Sequence, residues 1–144
     1  IATHNNIIGL IILFSFLLIR KYSGGYHCKS STVCLIFSTI VLIAMVFYAN
    51  LMNFSPVIII TIILCELELI IKGPIISINH DISDKERIIY RKYLYIILAV
   101  YDIIMALFIY FNKIHLACSI AIVIITCSLA HMICMIGKNK EVYY

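Results

Sequence analysis

The feature that most limits what this chain can become is a succession of five apolar runs, at roughly 4–19, 33–49, 55–71, 93–111 and 114–136. A membrane-crossing helix needs about 20 such residues, within a range of about 17–25. The first run is short, as a truncated or tilted segment would be. The runs are apolar on every side and rich in Ile and Leu, which marks helices embedded in lipid rather than helices with one buried face. Nothing alternates with a period of two, so a β-barrel is excluded. Composition agrees: 64% of residues are hydrophobic and 12% charged, against about 25% charged in soluble domains. The expected fold is an all-α, polytopic membrane helix bundle, with residues 1–144 forming one domain. The sequence opens at Ile1 and turns apolar almost at once, so an N-terminal portion is expected to precede it. The first six residues hold no Lys or Arg for the charged region of a signal peptide.

Basic residues orient the bundle. Arg20, Lys21 and Lys29 lie in the first connection, while Asn50 to Phe54 carry no charge. Lys72, Lys85, Arg87, Arg91 and Lys92 lie in the third, Lys113 alone in the fourth, and Lys138 and Lys140 in the tail. Positive charge stays on the cytoplasmic side of a membrane. The first connection (20–34), the third (72–92) and the tail are therefore expected in the cytoplasm. Four of the six cysteines sit inside apolar runs, where the thiol behaves as a small hydrophobe. Cys28 and Cys34 sit on the reducing side, so disulfides are not expected.

The third connection is the one long polar segment. Gly73 and Pro74 close the preceding helix. Ser83 followed three residues later by Glu86 is a capping-box spacing, which predicts a short cytoplasmic helix feeding the fourth span.

Chemistry concentrates in residues 20–34, RKYSGGYHCKSSTVC. His27 and Cys34 are seven residues apart, about 10 Å along one straight helix, too far for a thiol–imidazole contact. A working pair needs a non-helical chain between them. Gly24 and Gly25 permit backbone angles that other residues adopt only at a cost, and Ser31 is a helix N-cap residue ahead of the apolar run from Val33. With Ser31 as the cap, Cys34 occupies the third position of the first turn. Unpaired N–H groups and the helix dipole favour an anion there. Thiolates form more readily at such a site, and the same donors suit an acyl oxyanion. From spacing alone, acyl transfer by Cys34 with His27 as base stands beside a packing cysteine and a solvated histidine. His27, Cys28 and Cys34 do not have a structural zinc spacing, and neither a metal nor another cofactor is expected.

This stretch resembles the signature of the accessory gene regulator B (AgrB) family of membrane cysteine endopeptidases. That signature has a basic pair, a short glycine-containing stretch, a histidine, usually an alanine, and a cysteine seven positions after the histidine. Arg20 and Lys21 match the basic pair, Gly24 and Gly25 the glycines, His27 the catalytic histidine and Cys34 the catalytic cysteine. Cys28 departs from the usual alanine, a small-for-small change. The likeness continues through Pro74, Asn79 and the charged run to Lys92. The resemblance implies an enzyme of the bacterial cytoplasmic membrane whose active site faces the cytoplasm and which acts as a homodimer. Its partner is an AgrD-like propeptide with an amphipathic helix and an acidic C-terminal tail. The enzyme cysteine takes the peptide as a thioester as the tail leaves, and the peptide then cyclises to a thiolactone or lactone. Membrane lipid is the other partner, and no nucleic acid is involved. Arg20, Lys21, Lys29, Arg91 and Lys92 are possible contacts for the acidic tail.

A third member orienting the imidazole is expected by analogy with catalytic triads, and Glu66 is the candidate. Glu68 precedes Lys72 by four residues and is expected to pair with it. Asp102 lies inside the fourth run, where a carboxylate is costly, and His131 lies inside the fifth. His115 sits at the outer boundary, and Tyr90, Tyr93 and Tyr95 read as an interfacial belt. A competing reading is a small oligomeric transporter or channel subunit using the intramembrane carboxylates Asp102 and Glu66. Transporters gather polar residues at mid-membrane, whereas here they gather in connections at one end. A non-catalytic membrane scaffold is the third possibility.

Overall fold

In hydrocarbon a backbone must satisfy its own hydrogen bonds, and a helix does this within a single segment. Each apolar run is accordingly helical in the computed structural model, which describes residues 2–23, 31–53, 55–73 and 84–141. The helices are α1 (Ala2–Ser23), α2 (Ser31–Leu51), α3 (Pro56–Lys72), α4 (Asp84–Tyr110) and α5 (Ile114–Glu141). Three stretches are both long and apolar enough to cross a membrane: Asn6–Ser23, Lys85–Tyr110 and Ile114–Ile133. The described apolar part of α2, Ile36–Leu51, is shorter, and α3 has 17 residues, the lower limit for a crossing. Large apolar side chains cover the outside, among them Leu10 at 69% and Val57 at 70% exposure. Such a surface suits hydrocarbon, not water.

Helix α5 is the axis of the bundle and packs against each of the other four. Its first turns bury Ala117, Cys118, Ser119 and Ala121, small residues that let neighbouring backbones approach closely. Helix α1 also lies against α2 and α4, and α3 against α4. Of the described basic residues, all but Lys113 sit at the end where α1, α3 and α5 finish and α2 and α4 begin. The alternation read from the sequence is thus realised as one charged end.

Boundaries differ instructively from the expected ones. Helix α1 continues to Ser23, so Arg20 and Lys21 form its last turn, where cations complement the helix dipole. The short helix expected ahead of residue 93 is the opening of α4, which runs unbroken for 27 residues. That length is about 40 Å, more than a hydrocarbon core of about 30 Å. The capping residue Ser83 lies outside the described residues. Asn112 takes a left-handed φ of 55°, which asparagine tolerates. The turn closes as Asn112 N–H donates to the Ile109 carbonyl at 3.0 Å and Lys113 N–H to that of Phe108 at 2.8 Å.

Helix α3 starts with Pro56 in its first turn after an extended Ser55 and stops at Gly73. The Gly73 N–H donates to the Leu69 carbonyl oxygen at 3.0 Å. A Cβ at position 73 would lie 2.5 Å from that oxygen and 3.3 Å from Leu94 Cδ2. The φ of −76° suits any residue, so the constraint is space. Gly73→Ala is expected to lower stability by about 1–3 kcal/mol, read as a lower thermal midpoint in detergent. An unchanged midpoint would show that the end of α3 yields freely.

Candidate active site at the start of α2

Cys34 is the fourth residue of α2, in its first turn. The helix already includes Ser31, which was expected as its cap, and residue 30 is the next position back. That position lies outside the described residues, as do Gly24, Gly25, His27, Cys28 and Lys29 and the side chains of residues 31–35. The pairing of His27 with Cys34 therefore also lies outside them.

Positions 37, 38 and 41 follow position 34 at helical spacings of three, four and seven, one continuous face. Arg20 reaches this face from α1, its Nη1 donating to Ser38 Oγ at 2.8 Å. The guanidinium carbon also lies 5.5 Å from the centre of the Phe16 ring, a cation–π distance. The bond ties the last turn of α1 to α2 one turn beyond position 34. Beside it, a cavity of about 140 Å³ opens between α1, α2 and α5, with Phe16, Arg20, Phe37, Ser38, Val41 and Cys127 among its lining.

The remaining expected contacts lie elsewhere. Lys21 Nζ sits 5.2 Å from the centre of the Tyr22 ring. Tyr22 in turn meets Tyr90 and Tyr93 of α4 at centroid distances of 5.8 and 5.4 Å. Arg91 closes the end of α3, with Nη2 donating to the Ile70 carbonyl at 3.1 Å and Nε to Tyr95 Oη at 2.8 Å. Lys92 is exposed at the same end. Glu66 lies beside Asp102 of α4, while its Oε1 is buried without a partner among the described residues. The main neighbours of α3 are α5 and α4, and those of α2 are α5 and α1. Helix α5 thus stands between Glu66 and the Cys34 helix.

Sequence reasoning missed the partner of Glu68. Instead of the expected Lys72, Glu68 turns into the bundle, where its Oε1 accepts from His131 Nδ1–H at 2.8 Å and its Oε2 from Ser128 Oγ–H at 2.9 Å. His131 is wholly buried, and its Nε2 has no partner among the described residues. The available signal was the spacing of Ser128 and His131, two of the few polar groups in the apolar stretch of α5, three residues apart and so on one face of the helix.

The described residues thus place position 34 near the start of α2, the Arg20 guanidinium on the same helical face and a cavity beside that guanidinium. Comparison with curated proteins and with solved structures returned no significant match to either. The family model for accessory gene regulator B matches residues 1–135, nearly the whole length. The chain therefore belongs to the AgrB family.

Proposed function

We propose that this protein is a membrane cysteine endopeptidase that removes the C-terminal tail of an AgrD-like quorum-sensing propeptide and permits its cyclisation. The family is associated with processing of quorum-sensing peptides. The observation that carries the finer reading is the place of Cys34 in the first turn of α2, seven residues after His27. In this reading, His27 takes the thiol proton as Cys34 attacks the carbonyl carbon of the bond preceding the tail. N–H groups at the start of α2 stabilise the oxyanion. The C–N bond breaks, the proton passes to the leaving amine, and the peptide remains as a thioester on Cys34. An internal cysteine or serine of the peptide then attacks the thioester carbonyl. The ring closes as a thiolactone or lactone, and the Cys34 thiol is restored.

The chain crosses the membrane five times, with the charged end in the cytoplasm, and works as a homodimer. The ten basic residues assigned to that end attract the acidic tail over a distance. Gly24 and Gly25 let the connection fold back so that His27 meets Cys34, with Ser31 helping to shape the start of α2. The test is co-expression with such a propeptide, followed by mass spectrometry. The expected product lacks the tail and is lighter by one further water from ring closure. Recovery of only the linear, full-length propeptide would contradict the proposal.

A further inference from the structure

We propose that the cavity between α1, α2 and α5 is the subsite for the side chain of the propeptide residue whose carbonyl Cys34 attacks, and that it selects a large apolar side chain there. The proposal rests on Cys34 being the nucleophile. Two observations carry it. The first is register: Phe37, Ser38 and Val41 line the cavity from α2 and share a helical face with position 34. Ser38 lies four residues farther along, about 6 Å, which is within reach of one side chain from the reacting carbonyl.

The second observation is size and chemistry. At about 140 Å³, the space is close to that of an apolar cavity of about 150 Å³ that stays dry and takes up benzene. One leucine or phenylalanine side chain would fill it. Phe16, Val41, Cys127, Ala130 and Ile133 supply apolar walls, and the Arg20–Ser38 hydrogen bond closes one edge. Phe37, Leu129 and Ile133 also line it and are 55%, 53% and 62% exposed, so one side is open to an entering group.

The test uses the full chain in liposomes with three propeptides that differ only at the residue before the cleaved bond, carrying Ala, Leu or Phe. The unsubstituted protein is expected to prefer Leu and Phe over Ala by about tenfold or more in kcat/KM. Ala130→Leu, which fills the cavity, is expected to cut kcat/KM for Leu and Phe about tenfold and to spare the Ala propeptide. Val41→Ala, which enlarges the space, is expected to shift preference toward Phe and serves if Ala130→Leu does not fold. An unchanged ranking in the folded variants, with cleavage still dependent on Cys34, overturns the subsite alone and is the result expected if lipid fills the space. Cleavage that survives Cys34→Ala overturns the underlying reading as well.

Discussion

Cys34→Ala and Cys34→Ser are expected to abolish propeptide cleavage, a loss of about 10⁴-fold or more, as for removal of a nucleophile from other proteases. The serine variant is informative because it keeps shape and hydrogen bonding. A hydroxyl lacks the thiol's ready ionisation, and the start of α2 cannot make up that difference. Cys28→Ala is expected to cleave at close to the normal rate, because the seven-residue spacing from His27 assigns the nucleophile to Cys34. His27→Ala should fail nearly as completely as the Cys34 variants. The measurement is the rate of tail release in liposomes containing equal amounts of folded protein. Activity lost with Cys28→Ala but retained with Cys34→Ala would reverse the assignment.

The second large effect is on stability. Glu68 is held by His131 and Ser128 at the α3–α5 interface. His131→Leu takes away a fully buried partner and leaves the Glu68 carboxylate with Ser128 as its remaining hydrogen-bond partner among the described residues. Breaking a buried pair from one side costs about 3–5 kcal/mol, whereas a hydrogen bond between membrane helices is worth only about 0.6 kcal/mol on average. The first term governs here, because the group left behind is a carboxylate. His131→Leu is expected to destabilise by about 3 kcal/mol. Adding Glu68→Leu should restore most of that stability, because the carboxylate is then gone and only the Ser128 hydroxyl loses its acceptor. Thermal unfolding in detergent across the four proteins of this cycle reads the coupling. A His131→Leu loss below about 1 kcal/mol, with no recovery in the double variant, would show that the contact is an ordinary hydrogen bond.

The gross architecture was legible because one physical demand dominates it. Ile- and Leu-rich runs in hydrocarbon have to become helices, and the alternation of basic residues reports which ends lie together. Boundaries were less legible where charge overlaps helix. Arg20 and Lys21 read as loop residues because they are charged, yet no glycine intervenes before Gly24, and cations are welcome in a last helical turn. The opening of α4 was read as a separate short helix for the same reason.

Partner choice was the least legible property. Glu68 has a favourable neighbour in Lys72 by spacing, but that neighbour is exposed at the helix end, while His131 and Ser128 lie across the interface on α5. Local periodicity contains no information about which face meets which helix. The bond from Arg20 to Ser38 is hidden in the same way, since its two ends are 18 residues apart. The Cys34 assignment came from spacing and resemblance, and the described structure contributes the helix on which that residue sits.

The most direct test is to trap the acyl-enzyme. A propeptide whose ring-forming cysteine or serine is replaced by alanine cannot displace the thioester, so the adduct should accumulate. After acid quench and proteolysis, mass spectrometry is expected to find the tail-less peptide joined to Cys34 and released by hydroxylamine. An adduct on Cys28, or tail release with no covalent species at any cysteine, would contradict the account.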